Sequence, residues 1–136
     1  GTIYSQWMLG GDNTSNNVYN INDGTSNNVI RNRYNSAGTG NDNAVIIGGI
    51  NQATFTATNQ ITLYSSYKNA MAYKQDDFAR SANGLLLTDT SGNIPTVTQI
   101  NLGCSPAGIE QLNGWIQSIK YYPTRLPNGT LQGITA

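Results

Sequence analysis

The chain has no histidine, a single cysteine and a single glutamate, Glu110. Without histidine there is no Ser-His-Asp relay, no imidazole general base and no member of the commonest zinc-ligand class. Cys104, alone, excludes an intrachain disulfide. Glycoside hydrolysis needs two carboxylates a few ångströms apart. The one glutamate and the adjacent pair Asp76–Asp77, which would point to opposite faces of a strand, offer no such pair. Charge is scarce too. Only 10% of residues are charged, seven Lys plus Arg against seven Asp plus Glu. That leaves no basic surplus to neutralise phosphates, so nucleic-acid binding is not expected. No apolar run approaches the roughly 18 residues of a membrane-spanning helix, so no membrane insertion is expected.

What fills the chain instead is Asn, Thr, Ser, Tyr and Gly, with 38% hydrophobic residues over 136 positions. This is enough for one domain with its own core and not for two. Alternating apolar and polar residues mark short strands. They are expected at TIYSQWML (Thr2–Leu9), VYNI (Val18–Ile21), NVIRNRY (Asn28–Tyr34), AVIIGGI (Ala44–Ile50), ATFTAT (Ala53–Thr58) and ITLYSS (Ile61–Ser66). Further strands are expected at KNAMAYK (Lys68–Lys74), DFARSA (Asp77–Ala82), LLLT (Leu85–Thr88) and TVTQINLG (Thr96–Gly103). Asn83-Gly84 between two such runs signals a type I′ hairpin turn. The pentapeptide TSNNV stands at Thr14–Val18 and again at Thr25–Val29 with no third copy, and reads as two similar approaches to strands. Many short strands at turn-to-turn spacings of eight to twelve or so residues predict an all-β, two-sheet antiparallel jelly-roll sandwich. Only PNGTLQGITA at the end suggests a helical turn, with Asn128 as its cap and Gly129 and Gly133 weakening it.

The segment LNGWIQSIKYYPTRL (Leu112–Leu126) carries more information. Leu112 and Ile116 have one parity, Ile119 and Tyr121 the other, and a regular strand cannot place all four on one face. One extra residue near Gln117–Ser118 restores the phase, so a β-bulge is expected there. Pro123 then ends the ladder, since it has no N–H to give.

Taken together, AYKQDDFARSANG (Ala72–Gly84), DTSGNIPTVTQINLG (Asp89–Gly103) and LNGWIQSIKYYPTRLPNGTLQGITA to the end resemble, in order, the C-terminal concanavalin A-like (laminin G-like) jelly-roll domains of bacteriophage tail fibre and tailspike proteins. The resemblance covers roughly the last half of the chain. The closing strand departs from it, with Gln117 and Lys120 where relatives are often Arg-rich, and so does the final helix with its two glycines. The resemblance implies a lectin-type sandwich, the C-terminal part of a longer phage tail protein. It also implies a homotrimer in the virion, made in the bacterial host cytoplasm, beside other virion proteins and against a bacterial surface glycan. A chain that opens on Gly1 and not Met agrees with a piece of something longer.

The expected function is non-catalytic recognition of host carbohydrate; the alternative is a structural capsid, tail or trimer-capping module without a ligand. Sugars are held by aromatic faces and by amides and hydroxyls, which this composition supplies. Trp7 and Trp115 are candidate platforms, as are Tyr19, Tyr34 and Tyr67, and each is also an ordinary core or interface residue by type. If Ile116 faces the core, Trp115 faces outward, which makes it the better of the two tryptophans. Arg33 and Asn35, with Arg31, are read as sharing one polar face with Tyr34, and Gln117 completes the candidate set. Arg125 is expected to tie the C-terminal turn to the sandwich. No cofactor is expected. Asp12, Asp23, Asp42 and Asp89 are placed in loops, where turn formation is the first reading and calcium the alternative.

Overall fold

In the computed structural model, which describes residues 1–11, 15–35, 40–56 and 61–136, ten strands and one helix follow one another. They are β1 (Thr2–Leu9), β2 (Asn16–Asn22), β3 (Val29–Asn35), β4 (Gly40–Ile47), β5 (Ile50–Thr56), β6 (Tyr67–Lys74), β7 (Asp77–Ala82), β8 (Leu85–Asp89), β9 (Gln99–Leu102), β10 (Gly114–Tyr122) and α1 (Asn128–Thr135). The first sheet has the order β10-β1-β6-β7-β8 and the second β5-β4-β3-β2-β9, with every pairing antiparallel. This is the jelly-roll sandwich that the spacing of short strands predicts.

Strand alternation builds the core. Ile3, Trp7 and Leu9 from β1, Met71 and Tyr73 from β6 and Phe78 from β7 meet Tyr19, Ile30, Val45, Ala53 and Phe55 from the second sheet. Burying a side chain of this size contributes about 1.5–3 kcal/mol each before entropy is counted. The other parity of β6 and β7 is Ala70, Ala72 and Ala79, a bed shallow enough to take a helix on the outer face of the first sheet. Leu131 and Thr135, four residues apart on α1, lie buried on it, and Thr135 Oγ1 and Ser81 Oγ are 2.7 Å apart. The expected weak turn is therefore an eight-residue helix despite Gly129 and Gly133. Packing outweighs propensity there. Its N-cap is Pro127 and not Asn128.

The bulge lies where parity places it. Gln6 pairs with Ser118 and Trp7 with Ile116, so Gln117 is the unpaired extra residue. Ile116 and Ile119 both reach the core as a result. Arg125 ties the closing turn down: its Nη2 is 2.8 Å from Asp77 Oδ1, and its Nη1 donates to the Leu126 carbonyl at 2.7 Å.

Three strand expectations change. The AVIIGGI run breaks at Gly48 and Gly49, whose φ values of 57° and 79° make a hairpin turn between β4 and β5. β4 starts at Gly40, inside the stretch expected as loop. Thr62–Ser65 of ITLYSS forms a turn with Tyr64 at φ 63°, anchored by Tyr64 N–H to the Leu9 carbonyl at 2.8 Å. β9 is limited to Gln99–Leu102. Asn83 and Gly84, with φ of 45° and 79°, form the type I′ turn their sequence predicts. The end of the ATFTAT run and Thr14 of the first TSNNV copy lie outside the described residues.

A polar layer crosses the sandwich interior. Arg80 of β7, only 1% exposed, donates through Nη2 to Asn41 Oδ1 at 2.9 Å and to the Tyr67 hydroxyl at 3.1 Å. Asn69 of β6 donates to Asn43 Oδ1 at 2.8 Å and Asn41 Oδ1 at 3.2 Å. Asn41 donates in turn to Asn32 Oδ1, and Asn32 to Ser5 Oγ at 3.1 Å. These bonds join the first sheet to β3 and β4 of the second. Burial holds the Arg80 guanidinium below its usual pKa, with the Tyr67 hydroxyl opposing that shift.

Candidate functional site

The inward residues just described fix what points outward. Asn32 is bound inside, so its neighbours Arg31 and Arg33 project from the opposite face of the second sheet. Asn41 and Asn43 are bound inside, so Asp42 between them projects outward as well. Register then sets these groups side by side. Arg33 is opposite Asp42 on one flank and Asn17 on the other, while Arg31 is opposite Ala44 and Asn20. Arg33 Nη2 is 2.8 Å from Asp42 Oδ2, and Arg31 Nε is 3.8 Å from Asp42 Oδ1. Asp42 is thus not in a loop, as the sequence suggested, but in a strand between two guanidinium groups.

The loop after β9 adds a second carboxylate. Asn17 Nδ2 donates to Glu110 Oε2 at 3.0 Å and to the Glu110 carbonyl at 3.2 Å. Asn20 Nδ2 donates to Asn17 Oδ1 at 3.0 Å and to the Cys104 carbonyl at 2.9 Å. Asn22, Gln99 and Asn101 continue this amide chain along β2 and β9. Burial lowers the Arg31 pKa; the Asp42 charge opposes that, Arg33 adds to it, and Glu110 opposes it too. Each arginine side chain keeps about a fifth of its surface, 21% for Arg31 and 20% for Arg33. Arg31 Nε and Arg33 Nε are themselves buried and, among the described residues, make no hydrogen bond. A guanidinium paired with a carboxylate and still partly exposed is a planar donor for a ligand carboxylate or for vicinal hydroxyls. The small apolar patch of Val29, Ala44 and Ile46 lies on the same face.

The sequence-predicted candidates fall into three places. Arg33 and Asn35 are outward on the second sheet, as is Arg31. Tyr34 does not join them: it has the opposite parity and packs against the main core. Trp7 is wholly buried, its ring 5.4 Å from that of Tyr67, and is no platform. Tyr19 and Tyr67 are core residues too; burial pushes the Tyr19 phenol well above its usual pKa. Trp115 is outward on the first sheet and 54% exposed, and Gln117 stands exposed at the bulge two residues on. Trp115 and the arginine candidates therefore occupy opposite faces of the sandwich. Asp42, Glu110, Asn17 and Asn20 were missed as site residues. The matched parity of Arg31, Arg33 and Asp42 in adjacent strands was the available signal, and it needed β4 to begin at Gly40.

Two of the remaining calcium candidates, Asp23 and Asp89, are engaged in turns. Asp23 accepts from Asn28 Nδ2 at 2.7 Å, Thr25 Oγ1 at 2.7 Å and Thr25 N at 3.0 Å, and these bonds hold its carboxyl below the usual range, that from Asn28 most. Asp89 accepts from Ser91 N at 3.1 Å. Asp12 lies outside the described residues.

No protein-family model and no curated protein sequence matches the chain. Solved structures do. The CBM40 domain of the Ruminococcus gnavus IT-sialidase, bound to α2,3-sialyllactose, superposes with a TM-score of 0.82 at 19% identity, over 100% of this chain and 82% of that one. The leech intramolecular trans-sialidase matches at 0.80 and 20% identity, over 99% of this chain and 23% of its own. A heptameric pentraxin from Limulus polyphemus matches at 0.65 and 14%, over 99% and 69%. The chain thus shares the two-sheet jelly-roll fold of these structures.

Proposed function

We propose that the protein is a non-catalytic carbohydrate-recognition module that takes an acidic sugar on the outer face of its second sheet. The observation that carries this reading is the Arg31–Arg33 pair, set two residues apart on β3 and braced from the next strand by Asp42. A sugar carboxylate can accept from both guanidinium groups, while the Asn17–Asn20 amides and Glu110 suit hydroxyl and amide N–H groups of the same ligand. The similarity to a sialidase-associated domain bound to sialyllactose supports the same ligand class. The experiment is calorimetric titration with α2,3- and α2,6-sialyllactose. Arg33→Ala and Arg31→Ala are each expected to weaken binding by about tenfold to a hundredfold, the worth of a charge-assisted hydrogen bond. Undiminished affinity in both variants would remove the site.

The wider setting is part of the same proposal. The module belongs to a phage tail fibre or tailspike, is trimeric, and attaches the virion to a bacterial surface glycan. Support for this comes from the sequence resemblance over the last half of the chain. Three weak sites on one trimer would give firm attachment through avidity. Light scattering on the purified protein decides the trimer, and binding of the labelled protein to bacterial cells, competed by free sialyllactose, decides the host glycan.

A further inference from the structure

Trp115 is the more exposed of the two tryptophans, and the acidic-sugar site makes no use of it. One edge of its ring lies against Gly10. A Cβ at Gly10 would fall 2.7 Å from Trp115 Cζ3 and 2.9 Å from Cη2, so the indole rests against a stretch of backbone that only glycine leaves open. Gly10 is itself fixed by its N–H to the Asn113 carbonyl at 2.8 Å. A half-exposed indole with one edge against the Gly10 backbone leaves its outer face available for stacking.

The groups beside the indole are neutral and organised. Gln6 Nε2 donates to Ser66 Oγ at 2.9 Å, and Ser66 Oγ donates to Gln117 Oε1 at 2.8 Å. With its oxygen occupied, Gln117 turns an amide N–H pair to the exterior. Lys68, the cation nearest in register, is drawn away to the Ala136 carbonyl at the end of α1. Ser66 also lines a recess of 270 Å³ with Thr62, Ser65, Asn83, Ile61 and Leu85. An exposed aromatic shelf thus leads through uncharged amides and hydroxyls to a recess whose hydroxyls are interleaved with Ile61, Ala82 and Leu85. Among the described residues that line this path, none carries a charge.

From this arrangement we infer that the outer face of the first sheet holds a second carbohydrate site, which takes an uncharged saccharide, with one sugar ring stacked on Trp115 and the chain running past Gln117 and Ser66. It is independent of the arginine site, which lies on the opposite face. The bulge at Gln117 serves it directly, because the extra residue brings an amide out beside Trp115 while Ile116 and Ile119 stay in the core.

The test uses the intact chain and its own fluorescence. Trp7 is wholly buried, so acrylamide-accessible emission reports Trp115. A panel of uncharged gluco-, manno- and galacto-oligosaccharides is titrated with acrylamide present. The expected result is saturable protection of Trp115 by at least one of them. That binding is then followed by calorimetry: it is lost in Trp115→Ala and about tenfold weaker in Gln117→Ala, the worth of one amide hydrogen bond. Sialyllactose binding, if the arginine site exists, stays within about twofold in both variants, since the faces are separate. Failure of all the neutral sugars to protect Trp115 at millimolar concentration would overturn the inference. So would neutral-sugar binding that survives Trp115→Ala or disappears in Arg33→Ala. Protection that grows with protein concentration and needs no sugar would assign the patch to a second copy of the chain instead.

Discussion

Two tryptophans of one type do opposite work here, and the difference can be measured. Trp7 is enclosed by both sheets, so Trp7→Ala is expected to cost about 3–5 kcal/mol in denaturant unfolding. Trp115→Ala should stay within about 0.5 kcal/mol, as for a surface side chain. Equal losses would contradict the assignment of core and surface. Tyr19 makes a second prediction at this scale. Burial raises its folded-state pKa well above the usual value near 10, and Tyr73 is raised as well, by burial first. Above pH of about 10 the unfolded chain loses phenolic protons that the native state keeps, so stability is intact below that pH and falls as pH rises beyond it. Unfolding free energies measured between pH 8 and 11 are expected to be level at first and then decline. Tyr19→Phe should flatten the decline.

Among the elements, β10 shows how far side-chain parity can carry a reading. Two apolar pairs out of phase required one surplus residue, and the surplus is Gln117. For the fold, the residue count matters there and its identity does not. Deletion of Gln117 forces Ile116 or Ile119 off the core face and is expected to cost at least about 2 kcal/mol, whereas Gln117→Ala should cost under about 0.5 kcal/mol in the same melt. Legibility failed where a residue type carries two meanings. Asparagine reads as a turn former, yet Asn32, Asn41, Asn43 and Asn69 are buried inside strands. They are accommodated because Arg80, Ser5 and one another bond them across the sandwich, leaving Asn69 Oδ1 without a partner among the described residues, a long-range fact that no local window contains. That is why the local pattern starts β4 too late and puts Asp42 in a loop. The Ile61–Ser66 run failed for the converse reason: it has strand-like residues but no strand pairing, and turns instead. Helix α1 was underestimated because its stability comes from the alanine bed beneath it, on strands far away in sequence.

At the scale of the molecule, the sandwich presents two unlike faces. One carries alternating charges in fixed register, Arg31, Arg33 and Asp42 with Glu110 at the rim; the other carries an exposed indole among uncharged amides. The fold class was legible from turn spacing and strand length alone. The arginine face was half legible: Arg33 and Asn35 were singled out, while their partners waited on the register of β3 with β4. The purely structural alternative makes a distinct forecast, since a capping module would bury the Arg31–Arg33 face or Trp115 between copies. The most direct test of the account is an NMR titration of the 15N-labelled chain with α2,3-sialyllactose, following backbone amides, arginine Nε–H signals and the two indole N–H signals together. The account predicts saturable shifts confined to Arg31, Arg33, Asp42 and the Asn17–Asn20 segment, with the Trp7 indole unmoved. Shifts absent from β3 and β4 at saturating sugar would contradict it.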